Sequence, residues 1–296
     1  MMGRLLFVLA FCAAACPGAL SQDWEGVKAD RSLIWGEGWG ASVEEADRQA
    51  LSDLVTKVTV AVVSDYRQVE EQVRSSAGNE HYLMQSNRTA AYSSATLQNT
   101  HRIVLETGRR AHVGRWMRRD DLAVLFTDRK DRILEYEASA ARAERRFRLD
   151  EALRYHYWAY VLLRSLPRPS ELRSSEGRML LNAIPERMTE ILDGLKIRPV
   201  TRSGGTVVLS FSFRDQPVYG LDFRYFDGAR WSPLTSVRQG RASIDMAPGA
   251  LADYIQLKVE YAYSDDSLLD GELHDTMEAL NLKPIRKSFI VFKYRV

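Results

Sequence analysis

The spacing of apolar residues changes twice along this chain, and each change restricts what can be built on either side of it. Before about Met117, short β-branched runs surround one capped helical pattern. From Asp120 the spacing is helical for roughly 75 residues, and after Pro199 it becomes strand-like. Helices bury a stripe of period 3.6 and strands a face of period 2, so no one repeating architecture accommodates all three stretches. The expectation is a multidomain α+β protein. A small α+β sheet domain occupies residues 22–118, a helical hairpin middle 119–196 and a C-terminal β-sandwich 197–296.

In the first stretch Leu33-Ile34-Trp35 is a short strand, and Gly36-Glu37-Gly38-Trp39-Gly40 reads as a tight turn after it. Ser42 with Glu45 three residues on is a capping box, and Val43, Ala46, Ala50, Leu51, Leu54, Val55 and Val58 follow at helical spacing. The β-branched run from Thr59 to Tyr66 predicts a second strand. Residues 74–94 are polar and weakly patterned, either a loop or a marginal helix. A hairpin is expected from Thr96 to about Met117, turning at Gly108, with Leu97, Asn99, His101, Ile103 and Leu105 on one side of its first strand.

In the middle, Leu122, Leu125, Phe126, Ile133, Tyr136, Ala140, Ala143 and Phe147 keep one helical face apolar, and a new helix starts near Leu149-Asp150. That second helix, with Tyr155, Tyr157, Trp158 and Tyr160, is apolar nearly all round and must be covered on two sides. Leu166-Pro167 ends it. A third helix carries Leu180 to Leu195, with Pro185 starting or kinking its second half. Beyond Pro199, strands are expected over 206–213, 218–226, 242–246, 254–263 and 288–294, with a short helix near 275–280.

The first residues predict export. Arg4 precedes the apolar run Leu5–Ala15, Pro17-Gly18 break it, and Ala19-Leu20-Ser21 suits signal peptidase cleavage before Gln22. Lipidation at Cys16, after three alanines, is the competing expectation. The run is shorter than the roughly 20 apolar residues of a transmembrane helix, and no later stretch is long or apolar enough. Cys12 and Cys16 are the chain's two cysteines. A mature chain from Gln22 therefore has no disulfide, thiol nucleophile or zinc–thiolate site, and its cores alone must hold it together. A formal net charge of +2 excludes global polyelectrolyte character.

Residues 34–58 (IWGEGWGASVEEADRQALSDLVTKV) resemble the start of the twenty-kilodalton envelope lipoprotein family, and a similar domain opens a flagellar T-ring assembly protein. The resemblance spans residues 30–118 and implies a non-enzymatic domain of the bacterial envelope. Residues 138–167 are similar to a tetratricopeptide hairpin, Ala152 and Ala159 standing seven apart where two helices approach closely. The C-terminal strands resemble an Ig-like sandwich in number and spacing.

No catalytic motif is present. The glycine run lacks the G-x-G-x-x-G and P-loop patterns, and no G-x-S-x-G elbow or HExxH occurs. His101 and His112 with Glu106 across a hairpin are weighed as metal ligands against ordinary strand histidines, and no metal or cofactor is expected. The one local departure from an even charge mix is Arg102, Arg109, Arg110, Arg115, Arg118 and Arg119 around Trp116. Arginine interleaved with an aromatic suits an anionic polymer or an acidic protein face; a solvated face paired with neighbouring acids is the alternative. The expected function is that of an exported, non-catalytic binding or scaffolding component of the bacterial envelope, in the periplasm or at the cell surface. Expected partners are other envelope proteins or anionic envelope polymers, with no nucleic acid and possible peripheral outer-membrane association. Two other functions stay open: a subunit of a secretion, motility or surface-assembly apparatus, and an exported hydrolase with a dispersed site.

Overall fold

A computed structural model describes residues 24–70, 100–247, 254–280, 282 and 289–293. The expected leader, the Gln22 and Cys16 positions, the polar stretch 74–94, and Leu97 and Asn99, expected on the first hairpin strand, lie outside the described residues. Within them the protein is mixed α+β, with six helices and several antiparallel sheets. No described helix is long and apolar enough to cross a membrane.

The first unit is a three-stranded antiparallel sheet of β1 (Leu33–Gly40), β2 (His101–Glu106) and β3 (Ala111–Arg118), in the order β1-β3-β2. A short helix α1 (Trp24–Ala29) lies against one face, and α2 (Val43–Glu70) covers the other. The capping box forms at the start of α2: the Glu45 backbone N–H donates to Ser42 Oγ at 3.2 Å, and Glu45 Oε2 accepts the Ala41 N–H at 2.8 Å. Two expectations are corrected here. The glycine run is not a turn but the second half of β1, every other residue being small because α2 lies directly on it. The strand expected over Thr59–Tyr66 is the continuation of α2. β-branched residues cost a helix at most about 0.7 kcal/mol each, and Val58, Val62, Tyr66 and Val69 keep the helical interval beneath that composition.

The chain leaves β3 straight into α3 (Arg119–Arg145), then α4 (Leu149–Arg164) and α5 (Leu180–Gly194), with Pro185 inside the last. β4 (Leu195–Ser203) follows α5 without a break. It pairs with β5 (Thr206–Phe213), which also pairs with β6 (Gln216–Pro217) and β9 (Arg241–Asp245). A second four-stranded sheet runs β11 (Phe289–Lys293), β10 (Tyr254–Val259), β7 (Leu221–Tyr225) and β8 (Thr235–Val237). Helix α6 (Gly271–Leu280) lies between β10 and β11 in the chain. Alternation in β5 buries Val207, Leu209, Phe211 and Phe213, and the Phe211 ring meets Phe223 of the other sheet at 5.1 Å. One buried cluster runs from Ile133 through α4 and α5 into both sheets and α6.

The aromatic run of α4 belongs to that cluster. Trp158 Nε1 donates to the Ala262 carbonyl at 2.9 Å, Tyr157 meets Tyr261 edge-on at 5.4 Å, and Tyr136 of α3 packs on Tyr155 and Trp158. An α-helix apolar on both sides is thus covered by helices on one flank and by the C-terminal strands on the other.

Candidate binding surface

The sequence WGEGWG alternates large and small residues, and a strand sends alternate side chains to opposite faces. Gly36, Gly38 and Gly40 turn towards α2. A Cβ on Gly38 would lie 2.1 Å from the Ala46 carbonyl oxygen, and one on Gly36 would lie 2.3 Å from the Leu54 nitrogen. Leu33, Trp35, Glu37 and Trp39 therefore stand on the other face, beside Trp116, Gly114 and His112 of β3. Four of the chain's six tryptophans gather there once α1 adds Trp24. The Trp24 ring lies on Gly114, where a Cβ would come within 2.6 Å of it, and meets Trp35 edge-on at 5.9 Å.

Glu37 is the polar centre of this face. It accepts hydrogen bonds from Trp24 Nε1 at 3.1 Å and pairs with Lys28 at 3.0 Å and with His112 Nε2 at 3.1 Å. Burial pushes its carboxyl pKa up, but the hydrogen bonds from Lys28 and Trp24 and the Lys28 charge outweigh it, leaving the pKa below the ordinary glutamate value. With His112 held in this way, its ring stacks on Trp39 at 4.4 Å and 12°. Trp39 remains 54% exposed, against 7% for Trp116 and Trp24. At the other end His101 stacks on Trp116 at 3.9 Å.

The arginine cluster is divided among three places. Arg115 faces α2, gripping Asp47 with two hydrogen bonds of 2.7 and 2.9 Å and donating to Thr100 Oγ1 at 2.6 Å. Arg102, opposite Arg115, approaches the same carboxylate at 3.2 Å. The Arg115 hydrogen bonds hold the Asp47 pKa below the ordinary aspartate value, against the upward push of burial, with both guanidinium charges adding to the effect. Arg118 and Arg119 lie at the far end of β3, where Arg119 Nε donates to the Arg31 carbonyl at 3.0 Å and Arg118 lies 3.9 Å from Asp120. Arg109 and Arg110 are exposed in the turn between β2 and β3, so strand alternation does not place Arg109 on a face with Arg115. Trp116 is buried beneath His101 rather than presented among the arginines.

His101 and His112 do not oppose each other, since His101 is in register with Trp116 and His112 with Glu106. His112 bonds Glu37, a residue not weighed from the sequence as its partner. Among the described residues, no three His, Cys, Asp or Glu converge as a metal site. The arrangement brings Trp39 and His112 to the same end of the sheet as Arg109 and Arg110, because Gly40 pairs with Ala111 and the turn directly precedes Ala111. The period-2 pattern of WGEGWG was the available signal for Trp39; a turn reading hides it.

A second group of charges joins the later elements. Arg129 of α3 is wholly buried and binds Glu272 of α6 at 2.6 Å and Ser165 Oγ at 2.8 Å, while Arg132 pairs with Glu272 and Asp270. Arg154 of α4 reaches Asp266 at 2.9 Å and lies over the rings of Tyr155, Trp158 and Tyr263. Burial and the hydrogen bond to Asp222 raise the Tyr263 pKa far above the ordinary tyrosine value. These pairs tie elements to one another.

Neither a protein-family model, nor a curated protein, nor a solved structure matches the chain.

Proposed function

We propose that this protein is an exported, non-catalytic binding component of the bacterial cell envelope, engaging its partner through the exposed end of the N-terminal sheet. Residues 1–21 act as the leader, and the mature chain starts at Gln22. The first unit is read as a domain of the twenty-kilodalton envelope lipoprotein kind. Helices α3 and α4 form a tetratricopeptide-like hairpin, and the two four-stranded sheets are the leaves of an Ig-like sandwich. The observation that carries the reading is Trp39: a large apolar ring, stacked on His112 and left more than half in water at the same end of the sheet as two exposed arginines. Rigid aromatic and arginine side chains are the residues that dominate binding surfaces.

The test is a capture experiment. Mature protein immobilised from Gln22 onward is exposed to envelope extract in parallel with a Trp39→Ala/Arg109→Ala/Arg110→Ala variant. The expected result is a partner retained by the wild type and lost by the variant, whose circular dichroism is unchanged. Equal retention by both proteins would remove this surface from the function.

A further inference from the structure

We propose that the Trp39–His112 end of the sheet, together with Arg109 and Arg110, is a subsite for an acidic glycan. A sugar ring stacks on the indole while its carboxylate or phosphate is held by the guanidinium groups. This rests on the binding reading above and names the chemistry of the same surface.

The argument starts from the ring. His112 occupies one face of Trp39 at 12° from parallel, β1 is an edge strand of the described sheet, and Trp39 keeps 54% of its surface exposed, so ring surface away from His112 is available to a ligand. His112 is itself fixed by Glu37, whose carboxylate is shared with Lys28 and Trp24. The platform is therefore rigid before any ligand arrives, which limits the conformational entropy lost on binding. A flat, half-exposed indole suits the apolar face of a pyranose ring, and its electron-rich surface attracts the sugar C–H groups.

The charge comes from the adjoining turn. Arg109 and Arg110 follow Gly108, whose φ of +96° brings the chain round, and both are exposed with no ion pair among the described residues. Planar guanidinium groups match carboxylate and phosphate bidentately. Among the described residues neither nearby acid forms an ion pair with them: Glu106 stands across from His112 in the register, and Glu45 accepts from the Ala41 backbone. A lipid headgroup offers the same anion and Trp39 is an apolar ring exposed at this end, but the apex Thr107-Gly108-Arg109-Arg110 adds no second apolar side chain to enter a bilayer beside it. Those features favour a glycan over a membrane.

Calorimetric titration of the full mature chain tests the proposal, with polygalacturonate and a phosphomannan as acidic probes. The neutral methyl ester of polygalacturonate and phosphatidylglycerol vesicles are the comparisons. At least one acidic polymer is expected to bind, and the neutral ester should bind at least roughly tenfold more weakly than polygalacturonate if the carboxylates are recognised. Trp39→Ala should reduce affinity by roughly tenfold or more. Arg109→Ala/Arg110→Ala should remove most of the salt dependence, because exposed charges are screened beyond about 8 Å at physiological ionic strength. Binding of neither polymer, or binding indifferent to Trp39→Ala in a variant with native circular dichroism, overturns the proposal. Vesicle binding that depends on Trp39, with neither polymer bound, overturns it in favour of a membrane. The capture experiment separates the two failures. If a partner is still lost with the triple variant while both polymers fail, the glycan is wrong and the binding surface stands.

Discussion

Single residues in the first unit are constrained by contact distance more than by composition. At Gly38 any side chain meets helix backbone, so Gly38→Ala must push α2 off the strand. The expected loss is about 1–3 kcal/mol by denaturant unfolding, the usual range for overpacking. Gly108 has open space around it, and its φ alone opposes a side chain. Asp47 makes a second prediction. Its carboxylate is partly buried and held by Arg115, so Asp47→Asn should lower stability near neutral pH by about 1.5–3 kcal/mol, the range for hydrogen bonds to charged groups. Its pKa is lower folded than unfolded, so its contribution is complete above the ordinary aspartate value of about 3.9. It is lost as pH falls through the folded value. Wild type and variant stability curves should therefore converge on acidification below that value. Curves that stay parallel down to pH 2 would show that the Asp47 charge contributes nothing.

At the scale of elements, α2 decides the shape of the first unit. A strand over Thr59–Tyr66 would have extended the sheet; a helix to Glu70 instead carries the chain away from it. The two arrangements respond differently to proline. Within a helix interior, Ala61→Pro removes an intrahelical hydrogen bond and is expected to cost about 3 kcal/mol. An edge strand with its N–H turned to water would tolerate the change. A melting temperature unaltered by Ala61→Pro would restore the strand. Helix α1 has only six residues, yet its Trp24 and Lys28 both reach Glu37 and so set the position of His112. The short element and the exposed Trp39 platform are thereby coupled.

Across the whole molecule, the helical middle and the C-terminal sheets share one core, and the buried Arg129 of α3 binds Glu272 of α6, far away in sequence. Arg129→Ala leaves Glu272 with Arg132 as its remaining partner, so the expected destabilisation is about 1.5–3 kcal/mol, the range for hydrogen bonds to charged groups. Combined with Glu272→Gln, the loss should fall well short of the sum of the single losses, since both remove one interaction. Additive losses in that double-mutant cycle would show that Arg129 stabilises the fold independently of Glu272.

Much of the architecture is legible in the residue pattern. Helical periodicity placed α3, α4 and α5, and β-branched alternation with glycine punctuation placed most of the strands, because both signals are local and repeat over several residues. The Ser42–Glu45 cap was equally local. The β-branched end of α2 is helical against its composition, because propensity is a weak preference that a helical interval overrides. The candidate surface was only half legible. Arginines clustered in sequence suggested one patch, but a strand carries its residues about 3.4 Å apart and alternates their faces, so the cluster opened into a turn, a helix-facing pair and a far end. Trp39, His112 and Glu37 converge only through the pairing of β1 with β3, across 75 residues of chain for His112 and Glu37. Local pattern determined the elements. Which side chains meet was decided by the register between distant strands, because pairing a residue one position along turns every side chain to the other face.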